Sequence, residues 1–367
     1  MKLVASLRDG GGAFALGLLS VAFSIGSAFA HDEPTSFIDL RLGASGIEAS
    51  VTASNTDLAH DLPSVEPGML LQPATITTQR QALDAIVRSR LSLSVNGTPL
   101  TGTLGEIAPV PDKRDLRVSY HYSWSEAPAS VHLEARLFPY DSRHKTFVNV
   151  YAGDSLIQQE ILEGDKISTD FGTTTRQSIG SVVGQFLYEG IHHIFIGPDH
   201  ILFVVGLLLL GGALPRLLKI VTAFTIAHSI TLGLATFRLV TPPATIIEPV
   251  IALSIVFVGI HALLSKKRQQ HDPRLLFAFC FGLIHGFGFA NALQEMMLPR
   301  YALGWSLFAF NSGVEMGQGC IVLTVAPLLA LIRKRSLVAS ENVVATASVC
   351  VTAAGAFWFF QRVMEAY

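Results

Sequence analysis

The sequence predicts an α-helical polytopic membrane protein with six transmembrane helices, preceded by a small all-β, sandwich-like extracytoplasmic domain. Half of the 367 residues are hydrophobic and 15% are charged, which is too apolar for a typical soluble domain. Apolar and polar residues alternate in the N-terminal half, and long apolar runs fill the C-terminal half. The formal net charge of -2 gives no basic excess to hold nucleic acid, and the chain carries no nucleic-acid motif.

Residues 1–30 have the three parts of a secretory signal peptide. Lys2 and Arg8 form the basic region, the apolar stretch AFALGLLSVAFSIGS follows, and AFA at residues 28–30 is a small-residue cleavage pattern. We expect cleavage before His31; the alternative, an uncleaved first membrane helix, is disfavoured because the apolar run is short for a span. A mature N-terminal His31 would offer an amine and an imidazole to a metal, although an ordinary residue left by cleavage is the simpler interpretation.

Residues 31–178 are predicted to form the extracytoplasmic β-rich domain. Period-two alternation occurs in SFIDLRLG, GIEASVTAS, RSRLSLSVNG, RDLRVSYHYSW and SVHLEARLFP, and turn signals such as Asn96-Gly97 separate these runs. Several short alternating runs are typical of a small β-sandwich. The domain contains no cysteine; we interpret Cys280, Cys320 and Cys350, all in the apolar half, as buried packing residues.

Residues 179–367 are predicted to form the transmembrane domain. Each apolar run reaches the roughly 20 residues that a helix needs to cross the hydrocarbon core. The six predicted spans are Ser181 to Gly212, Leu217 to Phe237, Ala244 to Leu264, Leu275 to Leu298, Leu303 to Ile332 and Val343 to Val363.

Basic residues predict the orientation, because Lys and Arg accumulate in cytoplasmic loops. With the N-terminal domain outside, nine basic residues face the cytoplasm, in the loops that contain Arg216, SKKRQQHDPR and the Arg333-Lys334-Arg335 run. Three face outward, namely Arg238, Arg300 and Arg362. We therefore expect a multi-pass protein of the cytoplasmic (inner) membrane, with the N-terminal domain and the C-terminus extracytoplasmic.

The predicted spans contain many ionisable residues. A charged group at the bilayer centre costs roughly 2.5–3.5 kcal/mol on insertion scales, so such residues usually face the interior of the bundle and mark a pathway or site. Interfacial hydration is an alternative for those near span ends, including His192, Glu248, His261 and Glu295. The full set is Glu189, His192, His193, Asp199, His200, His228, Glu248, His261, His285, Glu295 and Glu315.

The stretch HHIFIGPDH in the first span combines several of these groups with a helix breaker. Glu189, His193 and His200 lie on one stripe of a helix. Pro198 lacks an N–H and clashes with the carbonyl four residues back, so a kink or break there can turn Asp199 inward. Unwound backbone at membrane depth is tolerated where it lines a cavity, and transporters use it to hold ions. The alternative is a proline kink at the interface with hydrated histidines.

Two further histidines lie in segments suited to close helix packing. His228 in FTIAHSITLGLA is surrounded by small and hydroxylated residues, which by itself is typical of helix packing. His285 lies within the Gly282-x-x-x-Gly286 spacing, which lets a helix approach its neighbour and bring the imidazole with it.

Carboxylates accompany the histidines in two other spans. Asn311, Glu315 and Gln318 follow i, i+4, i+7 spacing and so form one polar stripe of a helix. Glu248 precedes Pro249 near an outer end of its span. Imidazole nitrogens and carboxylate oxygens together suit Ni, Co, Zn, Mn or Fe as divalent ions better than Cu(I), which prefers sulfur. This donor set predicts a path for a divalent transition metal, with the metal as substrate and no organic cofactor.

These residues resemble the HupE/UreJ family of membrane proteins. His193, five residues and then Asp199-His200 is similar to the H-P-x-x-G-x-D-H signature, with Ile194 in place of the signature proline. Further similar stretches are FTIAHSITL, IEPVIALSIVFVG, FGLIHGFGFA and FNSGVEMGQ, so the resemblance covers about residues 180 to 335. It implies a permease for nickel, with cobalt, zinc or manganese as alternatives, in a subgroup with a signal peptide and an extracytoplasmic domain. The metal site that it implies comprises His193, Asp199, His200, His228, Glu248, His285 and Glu315.

Two other functions use the same residue types. An intramembrane metal-dependent hydrolase would hold Zn with His and Asp, assisted by Ser229 or Glu315, but the sequence lacks an H-E-x-x-H motif. A haem-binding electron carrier would use histidine pairs on facing helices. We expect a transporter rather than an enzyme, with the metal ion, the lipid bilayer and an extracytoplasmic metal-delivery protein as partners.

Overall fold

A computed structural model describes most of the chain, and two compact units can be distinguished in it, an N-terminal β-rich unit and a C-terminal helical unit. The predicted signal peptide, His31, Glu295 and Arg300 lie outside the described residues. The described ranges are 34–62, 64–111, 114–153, 155–173, 177–265, 272–288 and 302–366.

The N-terminal unit contains two β-sheets. A six-stranded sheet has the order β5-β6-β2-β1-β8-β9, and a four-stranded sheet has the order β10-β7-β3-β4. Strands β1 and β8 pair in parallel, whereas β1 and β2 are antiparallel. The strands are β1 (Thr35–Gly43), β2 (Gly46–Ser54), β3 (Leu91–Val95), β4 (Thr98–Pro99), β5 (Gly102–Pro109), β6 (Asp115–Ser123), β7 (Ser130–Ala135), β8 (Lys145–Ala152), β9 (Ser155–Leu162) and β10 (Ser168–Gly172).

One hydrophobic core joins the two sheets of this unit. Alternation along β1 buries Ile38 and Leu40 completely, and Leu93 and Leu133 of the second sheet are equally buried in the same core. The prediction of a β-sheet region before the apolar helices is confirmed.

The expectation of an all-β domain is wrong, because a 16-residue helix lies between β2 and β3. Helix α1 (Asn55–His60) and a short 3-10 helix (Pro67–Leu71) precede it, and α2 runs over Pro73–Arg88. Proline is favoured at the first turn, where its missing N–H is not needed. Ile76, Leu83 and Val87 repeat at helical spacing, and all three are buried.

The C-terminal unit is helical. Four of its described helices are long and apolar enough to cross a membrane, and a bent pair adds a fifth crossing if it counts as one span. In this unit α5 packs on α7, and α9 packs on α6. The helices are α3 (Ile179–Ile196), α4 (Pro198–Leu208), α5 (Leu214–Thr236), α6 (Ala244–Leu264), α7 (Arg274–Gly288), α8 (Leu303–Arg335) and α9 (Leu337–Ala366).

The count of six predicted spans depends on α7. Its described part has 15 residues, which is short for a bilayer crossing. The remainder of this predicted span, up to Leu298, lies outside the described residues.

The break predicted in the first span is confirmed. Helices α3 and α4 meet at an angle of 71° with only Gly197 between them. Pro198 begins α4, where its missing N–H is not needed, and the extended backbone of Gly197 forms the N-cap.

The cysteines differ from the expectation. Cys280 and Cys320 are exposed on helix surfaces and Cys350 is partly buried, so the interpretation as buried packing residues is wrong for the first two. Large apolar side chains beside them, such as Leu276 and Leu323, are also exposed. The reason is that helices in a bilayer are apolar on their outer faces as well as in their packed interior.

Candidate metal centre

Three histidines from three helices come together at the helix break. His193, His200 and His228 each offer one ring nitrogen, and these atoms all lie within 4.8 Å of one another. They belong to α3, α4 and α5. His228 and His200 are buried, with 0% and 7% of their surface exposed, and His193 is partly buried. We call them the three-histidine cluster.

The break makes this cluster possible. Seven residues span about 10 Å along a straight helix. The ring centroids of His193 and His200 are nevertheless only 4.6 Å apart. The third ring, His228, has its centroid 6.4 Å from that of His193 and 6.2 Å from that of His200. The bend between α3 and α4 therefore brings His193 and His200 of the stretch HHIFIGPDH together.

Hydrogen bonds determine which ring nitrogen of His228 can coordinate a metal. Its Nδ1 lies 3.3 Å from Asn311 Oδ1, while the Asn311 amide nitrogen donates to the Leu307 carbonyl at 2.8 Å. The amide oxygen can only accept, so Nδ1 carries the hydrogen and the lone pair is on Nε2. His228 Nε2 is buried and has no hydrogen-bond partner among the described residues. Asn311 therefore orients His228 as outer partners orient metal-binding histidines.

His285 lies next to the cluster and is oriented in the same way. Ser254 Oγ donates to the Ile251 carbonyl at 2.6 Å, so it accepts from His285 Nε2 at 3.0 Å. The lone pair is then on His285 Nδ1, which is buried without a hydrogen-bond partner among the described residues. The ring centroids of His285 and His200 are 5.1 Å apart. This predicted ligand is thus beside the cluster but not within it.

Glycines bring these helices into contact. A Cβ at Gly190 of α3 would lie 2.0 Å from the Phe310 carbonyl oxygen of α8. A Cβ at Gly286 would lie 2.5 Å from the His228 carbonyl oxygen, which confirms the close approach that the Gly282-x-x-x-Gly286 spacing predicts.

The predicted carboxylates lie outside the three-histidine cluster. Asp199 forms an ion pair with Arg362 of α9, with Oδ2 and Nη2 2.6 Å apart. Glu248 takes part through its backbone, because its carbonyl accepts from Arg362 Nη1 at 3.0 Å. Asp199 remains adjacent in sequence to His200 and lies in the first turn of α4.

The polar stripe of α8 faces α5. Glu315 accepts a hydrogen bond from the Thr222 hydroxyl, and Gln318 Oε1 accepts one from Thr225 at 3.2 Å. Glu315 Oε2 is buried and has no hydrogen-bond partner among the described residues. The stripe therefore brings His228 and a carboxylate to the same α5–α8 contact.

Arg362 is a functional candidate that was not predicted from the sequence. It was counted among the outward-facing charges, whereas only 9% of its surface is exposed. The signal was its position one residue before the end of the sixth predicted span, since a charge inside an apolar run needs a partner.

Comparison with known proteins identifies the family. A family model described as "HupE / UreJ protein" matches residues 170–362, which contain all four histidines discussed above. A search of curated proteins gave no match. The matched segment covers more than half of the chain, and the chain belongs to the HupE/UreJ family.

Proposed function

We propose that this member of the HupE/UreJ family is a permease that carries a divalent transition-metal ion across the cytoplasmic membrane. Nickel is the first candidate, and cobalt, zinc and manganese are the alternatives. The observation that carries the proposal is the three-histidine cluster, in which His193, His200 and His228 offer nitrogens within 4.8 Å of one another. The family indicates metal handling, and the apolar helices indicate a multi-pass membrane protein.

The donor set suits such an ion. Neutral imidazole nitrogens are good ligands for nickel, cobalt and zinc, and three protein ligands leave coordination positions for water. His200 Nε2 and His228 Nε2 are buried and have no hydrogen-bond partner among the described residues. A broken transmembrane helix is a recurrent feature of ion sites in transporters.

The positions of the other predicted site residues suggest a role for each of them. His285 is proposed as a further ligand because its Nδ1 is oriented and its ring neighbours His200. Glu248 and Glu315 are proposed as carboxylates that offset the charge of the ion along its path, and Asp199 as a carboxylate that joins the site only when its ion pair with Arg362 opens.

The finer architecture is part of the proposal. We propose six spans, with α7 and the residues up to Leu298 forming the fourth, and a sandwich arrangement of the two sheets. A cleaved signal peptide would place the N-terminal domain outside the cytoplasm, and the basic residues would place the C-terminus there too. The outer domain would then receive the ion from an extracytoplasmic metal-delivery protein.

Transport into vesicles tests the proposal. Purified protein is reconstituted into proteoliposomes, and uptake of radiolabelled Ni, Co, Zn and Mn ions is compared for the parent and His200→Ala. We expect saturable uptake of at least one ion and a loss of at least tenfold in His200→Ala. His192→Ala is the matched control, since it is a neighbouring histidine of α3 outside the cluster. Absence of metal uptake in the parent would refute the permease function.

The same preparation separates the alternatives. The hydrolase relies on Ser229 or Glu315, but Ser229 donates to the Thr225 carbonyl and Glu315 bonds to Thr222. Neither belongs to the three-histidine cluster. A Soret band in the absorption spectrum of the purified protein would favour the haem carrier over the permease.

A further inference from the structure

Arg362 and Asp199 form a buried ion pair, and Asp199 directly precedes His200 of the three-histidine cluster. Arg362 lies near the end of α9 and Asp199 in the first turn of α4, and their side chains are 8% and 17% exposed. Arg362 also donates to the Glu248 carbonyl of α6. One guanidinium therefore links α9, α4 and α6.

Charge makes this pair mutually dependent. Removing one partner of a buried ion pair leaves an uncompensated charge in a low-dielectric environment, which is strongly unfavourable. Asp199 cannot move to a bound ion without leaving Arg362 in that state. As long as the pair persists, the negative charge of Asp199 is neutralised by Arg362 and is not available to the ion.

Asp199 still has the means to bind a metal. It precedes His200 in sequence, and its Oδ1 is buried with no hydrogen-bond partner in the described part of the chain. A divalent ion at the cluster would therefore compete with Arg362 for the same carboxylate. A carboxylate added to three neutral imidazoles would tighten binding, whereas transport needs binding weak enough for release.

We propose that Arg362 is a positioning residue that sets the metal affinity of the three-histidine cluster, because it holds Asp199 in an ion pair and keeps the site weak enough to release its ion. The inference rests on the proposed function, since it assumes that the cluster binds the transported metal.

Metal titration of the full-length protein in detergent tests the inference. Ni²⁺ binding is measured by calorimetry and Co²⁺ binding by visible absorption, for the parent, Arg362→Met and Arg362→Gln. Arg362→Gln keeps a donor for the Glu248 carbonyl but carries no charge. We expect both neutral variants to bind Ni²⁺ at least tenfold more tightly than the parent. Arg362→Lys keeps the charge and is expected to stay within about threefold of the parent.

A double substitution identifies the residue through which Arg362 acts. In Asp199→Asn/Arg362→Met no carboxylate is released, so the gain in affinity is expected to disappear. Retention of the gain in the double variant would overturn the inference. So would a folded neutral variant that binds Ni²⁺ no more tightly than the parent.

Two readouts separate this role from structural damage. Tighter binding and slower release should lower both the KM and the maximal rate of uptake by at least several-fold, whereas misfolding lowers the rate without lowering KM. Ni²⁺ should also raise the melting temperature of Arg362→Met more than that of the parent, because the ion then compensates Asp199. An equal Ni²⁺ shift in both proteins would contradict the inference.

Failure of the inference is distinguishable from failure of the proposed function. If the parent binds Ni²⁺ and His200→Ala does not, while the Arg362 variants match the parent, only the role of Arg362 is refuted. If neither the parent nor any variant binds or transports metal, the proposed function fails and the inference fails with it.

Discussion

Histidines are buried in both units, but among the described residues three histidines are grouped at one place only in the helical unit. In the β-rich unit His144 Nε2 lies 2.9 Å from Ser36 Oγ, and its Nδ1, 3.9 Å from Asp57 Oδ2, is buried with no hydrogen-bond partner among the described residues. In the helical unit Nε2 of His200 and of His228 is buried with no hydrogen-bond partner among the described residues.

This grouping separates a candidate ligand from a structural histidine. A buried acceptor without a donor costs free energy, and proteins usually avoid it. His144 avoids part of this cost through its hydroxyl neighbour. The helical unit keeps several such nitrogens together at one place, which is favourable only if a ligand completes them. Predictions that set the two kinds of histidine against each other test this interpretation.

The largest expected effect is the weakening of Ni²⁺ binding when one candidate ligand is removed. His228→Ala should weaken Ni²⁺ binding on the order of 1,000-fold, more than the 10–100-fold typical for loss of an outer partner. Calorimetric titration of the full-length protein measures it. His144→Gln serves as the control and should bind Ni²⁺ like the parent. Weaker Ni²⁺ binding in that variant would contradict the interpretation of His144 as a structural histidine.

The second effect concerns the pH dependence of stability. Burial lowers the pKa of His144 from 6.5 to about 4, although the nearby Asp141 carboxylate opposes the shift. As the pH falls, His144 is protonated in the unfolded chain near pH 6.5 but in the folded protein only near pH 4. The stability that neutral His144 contributes to the folded protein is therefore complete above about pH 6.5 and is lost as the pH falls towards 4. Over that range the loss is up to about 3 kcal/mol.

His144→Gln should therefore flatten the decline in stability between pH 6.5 and 4. Thermal unfolding of the full-length protein, followed by circular dichroism at several pH values, measures the change. His60→Gln is the matched control, because the His60 side chain is 56% exposed. An unchanged decline in His144→Gln would show that other groups cause it.

The third effect concerns the contacts that position the cluster. Gly190→Ala should destabilise the protein by roughly 1–3 kcal/mol, because its Cβ would overlap the Phe310 carbonyl oxygen. It should also weaken Ni²⁺ binding, since α3 carries His193. Gly184→Ala in the same helix meets nothing within 4 Å and should be neutral or stabilising by about 0.5–1 kcal/mol. Equal melting temperatures for the two variants would contradict the packing argument.

The smallest expected effect concerns the orientation of a ligand. Asn311→Leu removes the acceptor for His228 Nδ1–H and should weaken Ni²⁺ binding about tenfold. Asn311→Asp keeps an acceptor oxygen and should bind within about threefold of the parent. Calorimetry on both variants decides the point. If Asn311→Leu binds as tightly as the parent, the His228 ring is held by packing alone.

The residues of the three-histidine cluster stand out in the sequence, because an ionisable group in an apolar run is conspicuous. His193, His200 and His228 were all selected on this ground, and the backbone chemistry of Pro198 predicted the break that joins the first two. What the sequence could not supply was pairing between distant segments. Arg362 and Asp199 are 163 residues apart, and only the folded helices show that they meet.

In the N-terminal unit a local element, and not a long-range contact, was missed from the sequence. Strand alternation was easy to recognise, but helix α2 was missed because its polar face and scattered apolar residues form a weak pattern. Its buried residues, including Ile76 and Leu83, repeat at helical spacing only when the segment is considered as a whole. Local periodicity therefore predicts strands in this unit better than it predicts the short helical insertion.

The bend between α3 and α4 couples ligand geometry to helix shape. His200 lies three residues beyond Gly197, about 5 Å along α4, so a change of ten degrees in the bend would move it by roughly 1 Å. Metal–nitrogen distances tolerate only about 0.2 Å. A bound ion would thus hold the angle between α3 and α4 fixed. Because the coupling is reciprocal, straightening this bend would weaken binding of the ion.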